Sequence, residues 1–104
     1  MIKFTNPSEA EPYLLFKNKY EDALNTNQDV IEAICISSYS SDNKEVDARF
    51  VNLKIVDNEN FIFFTNYNSP KSQQFLSHNQ IAASIYWQNT NVQIRMKAYI
   101  TKTS

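Results

Sequence analysis

Two permanent cations, Arg49 and Lys54, stand five residues apart in the stretch DARFVNLK, residues 47 to 54, whose other members read as strand. Alternation places Val46, Ala48, Phe50, Asn52 and Lys54 on one face, and Arg49, Val51, Leu53 and Ile55 on the other. Taken alone, this is an ordinary solvated face, because exposed edge strands often carry a Lys or Arg. A second cluster, FFTNYNSPKS at residues 63 to 72, changes the reading. There a strand runs into a turn, Ser69 takes a helix N-cap position and Lys71 falls just inside the helix. Orphan backbone N–H groups, a hydroxyl and an ammonium converging on one point make a site for an oxyanion. Two basic clusters around one turn point to a small molecule that carries a phosphate.

The elements that must position these residues follow from periodicity. Residues 1 to 10 show no period and read as an arm or loop. From Pro12 to about Asn25, the residues Tyr13, Phe16, Tyr20 and Ala23/Leu24 recur at three- and four-residue steps, the pattern of a helix that covers a sheet. Ser8 and Glu11 have capping-box spacing, but Pro12 fits better as the first helical residue, where its missing N–H is not needed. Strands are expected at 31 to 38, about 45 to 56, about 60 to 66, 80 to 87 and 91 to 102. In the last, Val92, Ile94, Met96, Ala98 and Ile100 alternate with Gln93, Arg95, Lys97 and Tyr99. A short second helix from Pro70 to about Ser77 packs Phe75 and Leu76. Short turns between strands imply antiparallel pairing, and so a meander or barrel with two helices attached.

Composition narrows the class. A chain of 104 residues makes one domain, residues 1 to 104, in which about two thirds of the surface can be buried. A net charge of −1 gives no general attraction to nucleic acid or anionic membranes. No apolar run approaches a membrane span and no signal-peptide pattern opens the chain. The single cysteine, Cys35, rules out an internal disulfide, fits a reducing compartment and reads as core, so a cytoplasmic location is expected. His78, the only histidine, has no Cys or His neighbour in sequence and suggests no metal site. Tyr86 and Trp87 read as core or interface residues. Glycine is absent, which excludes Gly-rich phosphate loops and leaves the turns to Asn at Ser41-Asp42-Asn43, Asp57 to Asn60 and Gln88 to Asn91.

The motifs occur in a particular order: A-R-x-V-x-L-K from Ala48, F-x-F-x-T-N-Y-x-S-x-K from Phe61, a strand ending in Tyr86-Trp87, then V-Q-I-R from Val92. In this order and spacing the chain resembles, from about Glu11 onward, the N-terminal part of the pyridoxamine 5'-phosphate oxidase family. The resemblance implies a mainly β fold with two helices, an antiparallel FMN-binding split β-barrel that this chain length could leave incomplete. It implies that Arg49 and Lys54, with Phe50 and Val51 between them, contact FMN, and that Lys54 also approaches the substrate. Phe64 and Thr65 would line the flavin site, Lys71 beside Ser69 would meet the phosphate, and Gln93 would contact the cofactor. The family usually has Ser-Arg-Lys where this chain has Ser69-Pro70-Lys71, which removes a guanidinium and a backbone donor from the phosphate site. Family oxidases also continue beyond the point matching Ser104, and nothing here matches their substrate clamp apart from Lys54. Two readings follow: an FMN-dependent oxidoreductase in which flavin takes a hydride from the substrate carbon, or a degenerate, non-enzymatic barrel that binds flavin, pyridoxal phosphate or nothing. Both carry an expected homodimer, since the family places FMN between subunits and the open flank would bury Tyr86, Trp87 or their neighbours. A monomer plugged by Tyr13, Phe16 and Tyr20 is the competing arrangement.

Overall fold

The computed structural model describes residues 1–40, 44–64 and 79–101. In chain order the elements of the described residues are β1 (Lys3–Thr5), α1 (Glu11–Asn25), β2 (Ala33–Ser40), β3 (Glu45–Asp57), β4 (Asn60–Phe63), β5 (Gln80–Trp87) and β6 (Val92–Tyr99), with a 3-10 turn at Gln88–Thr90. The six strands form one sheet in the order β1-β3-β2-β5-β6, with β4 also on β3. The long strand β3 organises it. Its first part pairs antiparallel with β2, from Ser40↔Glu45 to Ala33↔Asn52. Its last residues pair with β4 in a hairpin and with β1. On the far side of β2, β5 runs antiparallel to it and β6 antiparallel to β5.

Several expectations need correction. The sheet is mixed, because β1 lies parallel to β3 with Lys3 opposite Ile55 and Thr5 opposite Asp57. The segment expected to be an arm is thus partly a strand. Three residues are too few to display a period, and β1 gains its hydrogen bonds from the edge of β3 beyond Asn52, where β2 no longer pairs. The sheet is also not closed into a barrel. Among the described residues β4 pairs only with β3 and β6 only with β5, which leaves both as edges. Between them and α1 lies an apolar cavity of about 690 Å³, lined by Phe61, Phe63, Leu53, Ile94, Met96 and Ile100 among others. One α-helix is found among the described residues. The second, expected from Pro70 to Ser77, lies outside them. Boundaries shift modestly: β2 ends at Ser40, β4 at Phe63 and β6 at Tyr99.

Helix α1 starts one residue earlier than expected, so Pro12 is the second helical residue and Ala10 takes the N-cap position without a side-chain bond. Ser8 instead accepts from the Ala10 N–H at 3.2 Å, two residues on. The helix buries Phe16, Tyr20 and Ala23 against the sheet. Phe16 meets Phe61 edge-on at 5.0 Å, and Phe16 and Tyr20 flank Trp87 at 5.7 and 6.0 Å. Trp87 is 1 % exposed and donates its indole N–H to the Ile31 carbonyl at 2.9 Å, so its polar edge is satisfied. Tyr20 likewise accepts the Ile2 N–H at 2.9 Å, fastening β1 to the helix. With no glycine in the chain, left-handed positions fall to Asn6, Asn27, Asn58 and Asn91, and also to Val30 and Lys44. Asn58 and Asn91 are in the turns where Asn was expected to replace glycine.

Candidate functional site on the sheet

Strand parity divides the expected site residues between two surfaces. Arg49 and Val51 share the side of β3 that carries buried Leu53. Arg49 lies opposite Ile36, and the neighbouring pair is Asp47 with buried Ser38. Burial pushes the Arg49 guanidinium below its ordinary value while nearby Asp47 pulls the other way, so it stays a cation at any physiological pH. Phe50 points to the opposite side and is 74 % exposed. Phe64, just past β4, is similarly exposed at 72 %. Thr65, Ser69 and Lys71 lie outside the described residues, so the expected helix-terminal anion site does too.

Lys54 is at an irregularity in the ladder. Leu53 pairs with Phe63 and Ile55 with Ile62, so two steps on β3 face one on β4 and Lys54 is the extra residue. Such bulges bend a strand and re-aim a side chain. The Lys54 ammonium lies 3.5 Å from a Glu32 carboxylate oxygen. The other oxygen of Glu32 is paired with the amino group of Met1. These cations hold the Glu32 carboxyl below its usual range, the amino terminus contributing most. Glu32 was not singled out from sequence. It precedes β2 and meets Lys54 only through the strand register, which also brings the Leu53 N–H to the Glu32 carbonyl at 2.8 Å.

The outer face of β3-β2-β5-β6 has a distinctive pattern. Pairing aligns Phe50, Cys35, Ser84 and Arg95 in one row across four strands, and Ala48, Ser37, Ala82 and Lys97 in the next. Small side chains fill the middle of both rows. The flanks carry exposed Tyr39, Val46, Phe50, Tyr86 and Tyr99. In the trough a hollow of about 460 Å³ is lined by Ser37, Ala82, Ser84, Arg95 and Lys97 together with Ala83 and Met96. Gln93 is on this face, opposite Tyr86, whose hydroxyl donates to the Asn91 side chain at 3.2 Å. Of the pair read as core or interface residues, Trp87 faces the core while Tyr86 is exposed, because adjacent strand residues point to opposite sides. Gln93 and Phe50 are three strand spacings apart, roughly 14 Å at about 4.8 Å per spacing. Within one chain they do not meet.

Among the described residues no group of three or more His, Cys, Asp or Glu is arranged to hold a metal. No helix among them is long and apolar enough to cross a membrane. An open mixed sheet of this topology, with one helix over its core among the described residues, defines the fold class. The fold is shared by PhzG from Burkholderia lata 383, solved in complex with tetrahydrophenazine-1-carboxylic acid, with a TM-score of 0.80 at 22 % identity over 86 % of this chain and 44 % of that one. It is shared too by a pyridoxamine 5'-phosphate oxidase-related, FMN-binding protein from Nostoc punctiforme PCC 73102, with a TM-score of 0.72 at 18 % identity over 83 % and 46 %.

Sequence gives the particular relationship. The chain is related to the pyridoxine/pyridoxamine 5'-phosphate oxidases, as its motif order implied. It is 37 % identical over 93 residues to that of Vesicomyosocius okutanii subsp. Calyptogena okutanii, covering 89 % of this chain and 43 % of the relative. It is 35 % identical over 97 residues to that of Colwellia psychrerythraea, covering 93 % and 44 %. The chain spans about half the length of the curated relatives it matches. No protein-family model matches it.

Proposed function

We propose that the chain is an FMN-binding module of the pyridoxamine 5'-phosphate oxidase type, with a site shared by two copies. The observation that carries this reading is that Phe50 and Gln93, two residues the resemblance assigns to flavin, lie on the exposed outer face of the sheet, with the exposed side chain of a third, Lys54, at the bulge beside it. Their chemistry fits the cofactor: an aromatic ring, an ammonium, and an amide that can donate to and accept from the edge of an isoalloxazine. The spacing of some 14 Å between Gln93 and Phe50 favours a shared site. A twofold partner would set its own β6 beside β3 of the first copy, and the trough of Ala48, Ser37, Ala82 and Ser84 allows close approach. The exposed aromatic flanks would then be buried, as an apolar patch of this kind requires.

When bound, FMN supplies the redox chemistry. The chain supplies position and charge. Lys54 would bring an ammonium to the anionic part of the cofactor or of a phosphate-bearing substrate, Phe50 would shield the ring from water and Gln93 would fix its orientation. Arg49, from the inner side of β3, would add to the positive field of the chain. Oxidation of pyridoxamine phosphate in a cytoplasmic setting is the activity that goes with this reading, and free Cys35 is compatible with it.

Two measurements test the proposal on the whole chain. Reconstitution with FMN, followed by removal of free cofactor, should leave a yellow protein with flavin absorbance at up to one flavin per chain. Incubation with pyridoxamine phosphate under air should then bleach and recolour the flavin. A protein that stays colourless at high FMN overturns the flavin reading. A yellow protein that never turns over is a binder and not an oxidase.

A further inference from the structure

We infer that Glu32 is a positioning residue for Lys54, holding the ammonium of the bulged residue at the edge of the ligand face. The inference rests on the reading of Lys54 as a ligand-facing cation. Four observations carry it. Lys54 is the extra residue of the β3–β4 bulge, so its direction is not fixed by regular strand geometry. Its ammonium lies 3.5 Å from Glu32 while the lysine side chain remains 45 % exposed, so it is held without being covered. The carboxylate itself is only 21 % exposed, and its backbone carbonyl is tied to the Leu53 N–H at 2.8 Å, which fixes Glu32 relative to the residue before Lys54. Finally, the Met1 amino group takes the other carboxylate oxygen.

That last contact decides the sign of the effect. A lone carboxylate beside Lys54 would cancel its charge and compete with an anionic ligand. Here the amino terminus already balances Glu32, so the three groups together keep one net positive charge. Lys54 has a fixed direction and the local field remains attractive to a phosphate or to the electron-rich edge of a flavin. A free lysine side chain would lose considerable rotamer entropy on binding, and Glu32 lowers that cost beforehand.

Glu32→Gln keeps the shape and removes the charge. FMN affinity, titrated by flavin fluorescence, should fall by about two- to fivefold, the range a half-exposed ion pair supports. In a Lys54→Gln background the same change should cost nothing further, which a merely structural role for Glu32 would not produce. A second readout needs no ligand. Competitive acylation of the lysines, read by peptide mass analysis, should show Lys54 reacting at least about twice as fast relative to Lys17 and Lys97 once Glu32 is neutral, since half-exposed ion pairs of this strength constrain by that order. Should Glu32→Gln fail to fold, Glu32→Asp withdraws the charge by one methylene and should give the same rise in labelling. Equal losses of FMN affinity in both backgrounds, or unchanged Lys54 labelling, would overturn the inference. If the parent chain takes up no FMN, the flavin reading falls and the labelling result alone decides whether Glu32 positions Lys54.

Discussion

Glu32 makes contacts with three parts of the chain: the amino terminus, the Lys54 side chain and the Leu53 backbone. Its carboxyl is held below the ordinary value of 4.5, so it is a group with depressed folded-state pKa. Such a group binds fewer protons folded than unfolded. Its contribution to stability is therefore complete above the unfolded pKa and is lost as pH falls through the lower, folded one. Urea unfolding followed downward from pH 4.5 should show stability falling less steeply in Glu32→Gln than in the parent. An identical slope would mean the pairing does not persist in solution. A second prediction at this scale concerns the phosphate. Lys71→Ala should weaken FMN by about 1.5–3 kcal/mol, the worth of a hydrogen bond to a charged group, and Arg49→Ala by less, since its charge acts from the other face of β3; both should scarcely change riboflavin, which has no phosphate. Equal losses for both ligands, measured by the same titration, would remove these residues from the phosphate site. Arg49 and Lys54 stand out in the sequence only beside the second cluster and the motif order, because taken alone their spacing reads as a solvated face. Glu32 does not stand out at all, because its importance comes from a register between strands that no local pattern encodes.

The loop into β2 contains a strained position. Val30 has φ 45° and is 80 % exposed, a left-handed conformation that a β-branched residue adopts only at a cost. Its carbonyl accepts the Ala33 N–H at 3.0 Å, closing the turn that delivers Glu32. Val30→Asn should therefore stabilise the fold by about 1 kcal/mol, since Asn tolerates this region and no buried contact is lost. Thermal or urea unfolding checks this; a destabilised variant would show that the Val30 side chain makes a contribution its exposure hides. Elements with a strong period were readable in advance. β5 spans the expected residues, and β6 keeps the expected alternation, with Val92, Ile94, Met96, Ala98 and Ile100 packed against the core. β1 was missed because three residues carry no period and its partner is far along the chain. The irregularity at Lys54 was hidden for a related reason: a bulge is a mismatch between two strands, and either strand read singly looks regular.

At the scale of the molecule, the exposed outer face and the open cleft between β4 and β6 are the surfaces with unmet demands. The expectation of a flank plugged by α1 is met in part, since Phe16 and Tyr20 are buried and Tyr13 packs on Phe61 at 6.4 Å. The outer face is untouched by this packing, so the proposed twofold pairing does not compete with it. Sedimentation equilibrium across micromolar concentrations should give a dimer for the parent chain. Ala48→Arg places a bulky cation in the trough where a partner must approach and should give a folded monomer with weakened FMN binding. A parent chain that is monomeric and still binds FMN tightly would remove the partner from the site. The arrangement of the two faces was foreseeable from alternation and an incomplete barrel from the chain length, but which strands are left as edges was not, because that depends on strand order and not on any one strand.

The parallel pairing of β1 with β3 has a consequence for how the protein is made. Thr5 and Asp57, joined side chain to side chain at 2.9 Å, are 52 residues apart in sequence. Strand β1 thus has no partner on β3 until the 52 residues up to Asp57 have followed it. Closing a loop of that size must precede any reward from the contact, so β1 docks late and the rest of the sheet forms without it. The Met1–Glu32 contact belongs to the same late event. Pairing of Glu32 beside Lys54 is in this way tied to synthesis past Asp57, and a nascent chain stalled before it presents the β1 segment undocked to whatever chaperones or proteases are near.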